Sequence, residues 1–102
     1  MELVKEVYLR MRQMPAEELY SLTNQIKRAA VSVPSNIAEG QARGTKEFLH
    51  FLRITQGSLS ELETQLLLTI KLDMLPATEI DPLVATITSL KKQIYSLMKK
   101  LK

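Results

Sequence analysis

"RAAVSVPSNIAEGQARG", Arg28 to Gly44, has helix-forming chemistry at almost every position except Pro34, which stands among Ser32, Ser35 and Asn36. A proline inside a helix loses one backbone hydrogen bond and crowds the carbonyl four residues earlier, at a cost of about 3 kcal/mol. The flanking residues decide what this one does. Leu19, Leu22, Ile26, Ala29, Val33, Ile37 and Gly40 step by three and four residues straight through it, the spacing of a helix packed in a left-handed bundle. A true break would reset that register. The spacing therefore predicts one long helix from about Pro15 to Arg43, kinked at Pro34, with nearby serine hydroxyls bonding the carbonyl groups that the proline leaves free.

Outward from this segment the same punctuation repeats. Gly44 supplies a helix stop and Thr45 a cap for the next helix. Phe48, Leu52, Thr55, Leu59, Leu62, Leu66 and Thr69 then carry the three-and-four spacing from about Lys46 to Leu72. So tight a turn makes these two helices antiparallel. Residues whose numbers sum to about 88 then lie level, which sets Ala29 and Ala30 opposite Gly57, Ser58 and Ser60 and predicts a close backbone approach at Gly57. Upstream, Leu3, Val4, Val7, Tyr8 and Met11 mark a first helix that stops near Met14 and Pro15. Downstream, Pro76 ends a loop, Thr78 is the expected cap, and a fourth helix accepts Pro82 in its first turn. Leu83, Ile87, Leu90, Ile94, Leu97 and Leu101 form its apolar stripe. The expected fold is all-α: a single domain over residues 1–102, an antiparallel up-down-up-down four-helix bundle kinked at Pro34.

A chain of 102 residues builds one modest core. Cysteine and tryptophan are absent, so disulfides and thiolate metal sites are excluded. No apolar run approaches the ~18 residues of a membrane span. The first residues alternate charge with apolar groups, unlike a signal peptide, and a cytoplasmic location without membrane contact is the expectation. The net charge of +3 is uneven, because Lys91, Lys92, Lys99, Lys100 and Lys102 crowd the C-terminal stretch with no carboxylate among them. Such a run is either a solvated helix end, favoured by the helix dipole, or a surface for phosphate.

Arg28, Ser32, Ser35, Asn36, Glu39 and Arg43 form a polar stripe beside the apolar one, and the level rule places Arg28 near Glu61. All but Arg43 make, with Ser58 and Glu61, a candidate structural seam, which an Arg28–Glu61 ion pair would hold in register; the alternative is a groove where Asn36, Glu39 and Arg43 meet a partner or ligand. Catalytic readings are weak. Glu39, Glu61 and Glu63 have no activated partner at readable spacing, and His50, the only histidine, makes a poor metal site alone. "GQARGTK" fails the order and spacing of a phosphate loop, and the methionines at 11, 14, 74 and 98 are scattered fillers. No cofactor, metal or catalytic residue is expected.

The stretch from Leu22 to Leu66 resembles the four-helix bundle family encoded in intervening sequences of bacterial large-subunit ribosomal RNA genes. Gln25, Arg28, Ala29, Ala30, Ser32, Pro34, Ser35, Asn36, Ile37, Ala38, Glu39 and Gly40 match its first signature, and Phe48, Phe51, Leu52, Gly57, Ser58, Glu61 and Glu63 its second. The fourth helix matches in pattern only. Family members usually carry further residues, often with a tryptophan, ahead of the segment matching Leu3 to Tyr8. The resemblance implies a homopentamer with a central opening. It extends to a related branch, the accessory proteins of diversity-generating retroelements, which are basic barrels that bind a reverse transcriptase and nucleic acid.

The function expected on these grounds is a non-enzymatic accessory protein: a ring-shaped homo-oligomer whose basic surface holds RNA or DNA, with a reverse transcriptase as the partner the related branch suggests. Candidate contacts are Lys27, Arg43, Lys46, Arg53, Lys91, Lys92, Lys99 and Lys100, with no aromatic platform for single-strand recognition expected beside them. Five copies of a +3 chain would carry about +15. Val31, Leu67, Leu68 and Ile70, apolar but off the main stripes, are the expected interface. The alternatives are a protein-binding or structural oligomer without nucleic acid and, less favoured, an enzyme built on Glu39 and Glu61.

Overall fold

Pro34 does not interrupt its helix. The computed structural model describes residues 1–102, with helices α1 (Glu2–Met11), α2 (Leu22–Gln41), α3 (Thr45–Lys71) and α4 (Ala77–Leu101), a 3-10 turn at Ala16–Glu18, and no strand. Around the proline, Ser32 Oγ bonds the Ala29 carbonyl at 2.8 Å, Ser35 Oγ that of Val31 at 2.9 Å, and Asn36 Nδ2 that of Ser32 at 2.8 Å. The carbonyl four residues before Pro34, that of Ala30, receives none of them. These side chains support the neighbouring turns, a correction to the expectation that they replace the proline's own missing bond.

α2 begins at Leu22 and not at Pro15. Pro15 has an extended ψ of 141° and caps only the 3-10 turn. Ser21, a residue type that favours helix starts, takes the N-cap position of α2. The register accordingly loses its first member, because Leu19 is 47% exposed and Tyr20 90%. The other boundaries shift by one to three residues, the largest being the end of α1, at Met11 and not near Met14. Gly44, with φ of 101°, is itself the N-cap of α3, ahead of Thr45. Pro76 stands before Ala77 at the start of α4, so Thr78 is inside the helix and Pro82 lies two residues deeper than expected, in the second turn.

One core joins the four helices. Leu3, Val7 and Met11 of α1, Ile26, Ala29, Ala30 and Val33 of α2, Leu52, Leu59, Leu62 and Leu66 of α3, and Ile80, Leu83, Ile87 and Ile94 of α4 are all buried, with Leu75 closing the last loop. Nearly all lie at the positions the three-and-four spacing marks. Tyr8 and Leu97 are exposed despite lying in the predicted stripes. The long axis is 42 Å, about what the 27 residues of α3 span at 1.5 Å each.

α2 and α3 meet at residues whose numbers sum to about 90. Ser32 and Ser58 share a 2.7 Å hydrogen bond. A Cβ built on Gly40 would stand 2.7 Å from Phe51 Cβ and 3.1 Å from Phe48 Cδ1. The close approach is therefore at Gly40. Gly57, expected to fill that role, is exposed, and a Cβ there would meet nothing within 4 Å.

α1 is tied to α4 by Arg10, whose Nε lies 2.8 Å from Glu79 Oε2 while Nη2 bonds Glu6 Oε1 at 3.2 Å. Sequence spacing gives no means of pairing Arg10 with a residue so distant along the chain. Arg10→Ala is expected to lower stability by about 1 kcal/mol, because the Arg10 and Glu79 side chains keep 25% and 38% of their surface at the solvent, which partly screens the pair. Urea melts of Arg10→Ala, Glu79→Ala and the double variant isolate the pair, and additive losses would show that the contact contributes nothing.

Candidate nucleic-acid interface

The cations expected to contact nucleic acid divide among different surfaces. Lys27, half-buried on α2, holds its Nζ 5.1 Å over the ring of Tyr8. With Asn24, Arg28, Val31 and Ser32 these two line a groove of about 420 Å³ between α1 and α2. Arg43 is already engaged: from the turn that follows α2 it pairs with Glu39 of that helix, and it lies 5.1 Å over the Phe51 ring. Lys46 and Arg53 are exposed on α3 without an ion-pair partner.

α4 gathers the rest. Thr88, Lys91, Lys92, Tyr95, Ser96 and Lys99 follow one another by three or four residues, or by one, so they share one face of the helix. The first five, with Glu63 from α3, line the molecule's largest groove, about 550 Å³. Lys91 Nζ is 3.7 Å from Glu63 Oε1. Its backbone carbonyl accepts a 3.0 Å hydrogen bond from Gln56 Nε2, which pins α4 to α3 at this level. Lys92 and Lys100 are exposed with no carboxylate partner. Lys99 Nζ stands 5.0 Å over the ring of Tyr95, which is itself 58% exposed. An aromatic ring thus sits among the lysines, contrary to the expectation from sequence. The signal was present in the i−4, i−3 and i+4 spacing of Lys91, Lys92 and Lys99 about Tyr95.

The polar seam is only partly a seam. Ser32 and Ser58 bridge α2 and α3, whereas Ser35 and Asn36 bond carbonyl groups of their own helix. The Arg28–Glu61 ion pair does not form. Both residues are exposed; Arg28 lies in the Tyr8 groove and Glu61 accepts a 3.2 Å bond from Gln65 Nε2. Helix phase explains the miss, because each residue is displaced ~200° from a core position two before it, Ile26 or Leu59. Glu39 is engaged by Arg43 of the turn after α2 and Glu61 by Gln65 of its own helix, and no group of three or more His, Asp or Glu side chains is placed to hold a metal ion.

Four helices packed on one core, with unpaired lysines on the solvent face of α4, define an all-helical protein of the bundle type. The model of the 23S rRNA-intervening sequence protein family matches residues 1–96, and the chain belongs to that family. No curated protein gives a significant match. No helix is long and apolar enough to cross a membrane.

Proposed function

We propose that this protein is a non-enzymatic, cytoplasmic accessory protein that assembles into a ring-shaped homo-oligomer and holds RNA or DNA on a basic surface. The carrying observation is that Lys92, Lys99 and Lys100 on α4 have no carboxylate partner and stand at the solvent. Such a cluster attracts phosphate without reading sequence, and its attraction grows with each copy the ring adds. The five-fold count and a reverse transcriptase partner come from the family resemblance alone.

Assembly draws support from two surface features. Val31, Ile54, Leu67 and Leu68 are each about 40% exposed, an apolar excess of the kind that interfaces cover; Ile70, by contrast, packs on the core. Gly57 stands in the middle of α3 with open space around it, at a helix cost of about 1 kcal/mol that no contact within the chain offsets. A neighbouring subunit approaching closely would account for it. The ring reading takes the helices in antiparallel up-down-up-down order, which the α2–α3 pairings support, with α2 bent at Pro34.

Two measurements test the proposal. Light scattering at micromolar concentration is expected to give a mass near five chains, and a monomer mass would end the ring. Titration with labelled structured RNA and duplex DNA is expected to show binding near 50 mM salt. Its absence there would favour a protein-binding or structural oligomer.

A further inference from the structure

We propose that the α3–α4 groove binds an unpaired nucleobase together with its phosphate, the base stacking on the Tyr95 ring and the phosphate meeting Lys92 and Lys99. This inference rests on the nucleic-acid reading above and narrows it to single-stranded segments.

Tyr95 is a large aromatic ring exposed over more than half its surface on the polar face of a well-packed helix, with no aromatic partner in the chain. Its one close companion is a cation, Lys99 Nζ, 5.0 Å from the ring centroid. A cation can hold only one face of a ring. The other remains available to a second flat group. The groove beside it, about 550 Å³, has the size of sites that take small organic ligands. Its lining is polar apart from Tyr95: Lys91, Lys92, Thr88, Ser96 and Glu63.

Charge selects the occupant. Glu63, the one carboxylate in the groove, already faces Lys91 at 3.7 Å, which leaves Lys92 and Lys99 uncompensated. An anion bearing a flat, polarisable ring matches that pairing, and a nucleotide unit of a single strand is such an anion. Bases in a duplex are already stacked on one another and present no face to an outside ring, so stacking on Tyr95 requires an unpaired base. The groove is open rather than enclosed, which lets a strand continue past it at both ends.

The test is fluorescence anisotropy with a labelled 12-nucleotide oligo-dA and with a duplex of equal phosphate number. Wild type, Tyr95→Phe, Tyr95→Ala and Lys92→Gln are compared at 50 and 200 mM salt. Tyr95→Ala is expected to weaken single-strand binding roughly 5- to 100-fold at both salt concentrations while leaving duplex binding within about twofold, and Tyr95→Phe to retain most of it. Lys92→Gln is expected to weaken both ligands, with an effect that shrinks as salt rises. Equal losses for strand and duplex in Tyr95→Ala, or no loss at all, would overturn the stacking role while leaving electrostatic binding intact. Failure of the wild type to bind either ligand would overturn both readings. A poly-glutamate peptide that binds as tightly, with the same dependence on Tyr95, would replace the nucleobase with an acidic protein segment.

Discussion

Gly40→Leu is expected to lower the stability of the protein by about 3 kcal/mol, and Gly57→Ala to raise that of the free subunit by up to about 1 kcal/mol. Both glycines lie inside long helices, where alanine outperforms glycine by about 1 kcal/mol. Their surroundings decide the sign. At Gly40 the nearest atoms to an added Cβ include Phe51 Cβ at 2.7 Å and Phe48 Cα at 3.3 Å. These are fixed to the backbone of α3 and cannot swing aside, so a larger side chain must push the helices apart, an overpacking cost of ~1–3 kcal/mol or more. At Gly57 nothing stands within 4 Å. Thermal melts of the two variants read the contrast directly, and a stabilised Gly40→Leu would show that α2 and α3 do not approach at that point. If a neighbouring subunit covers Gly57, its alanine variant dissociates at higher protein concentration than the wild type, a loss that light scattering detects even as the subunit itself gains stability.

Reversing Lys92, Lys99 and Lys100 to glutamate is expected to weaken nucleic-acid binding at least roughly 100-fold near 100 mM salt. Each reversal removes two charge units, so the three together take the chain from +3 to −3. The three side chains are exposed and unpaired, which keeps their packing cost small. Lys99 and Lys100 also lie in the last turn of α4, where carboxylates oppose the helix dipole by ~0.3–1 kcal/mol each. A glutamine triple variant separates the two effects: it is expected to lose a smaller share of the binding and to melt close to the wild type. Unchanged affinity in the glutamate variant would place the binding surface elsewhere, with the Lys27 and Arg28 groove the next candidate.

Helix phase accounts for most of what could be read from the sequence. The stripes through Val33, Leu59 and Ile87 marked the buried faces because three-and-four spacing admits few alternatives, and the same continuity showed that Pro34 lies inside a helix. Level along the bundle, taken without helix phase, misplaces the close approach. Gly57 is level with α2, but it lies two residues from both Thr55 and Leu59, ~200° around the helix from each, and so points outward. Gly40, already in the apolar stripe, was the position where backbones had to meet. The start of α2 failed for a different reason. Pro15 suits the cap of a 3-10 segment as well as the first turn of an α-helix, and only the exposure of Leu19 and Tyr20 separates the two. Arg10 and Glu79 were illegible because their contact depends on how α1 sits against α4, which no local pattern encodes.

The salt dependence of RNA binding tests the central claim most directly. Logarithms of the association constant of a labelled structured RNA, plotted against the logarithm of salt concentration between 50 and 200 mM, are expected to fall on a line. Three phosphate contacts give a slope of about −2 to −3 and a loss of roughly 40-fold across that range, with steeper values if several subunits engage one RNA. Measurable binding with a slope near zero, or no binding at 50 mM, would contradict an electrostatic nucleic-acid surface on this protein.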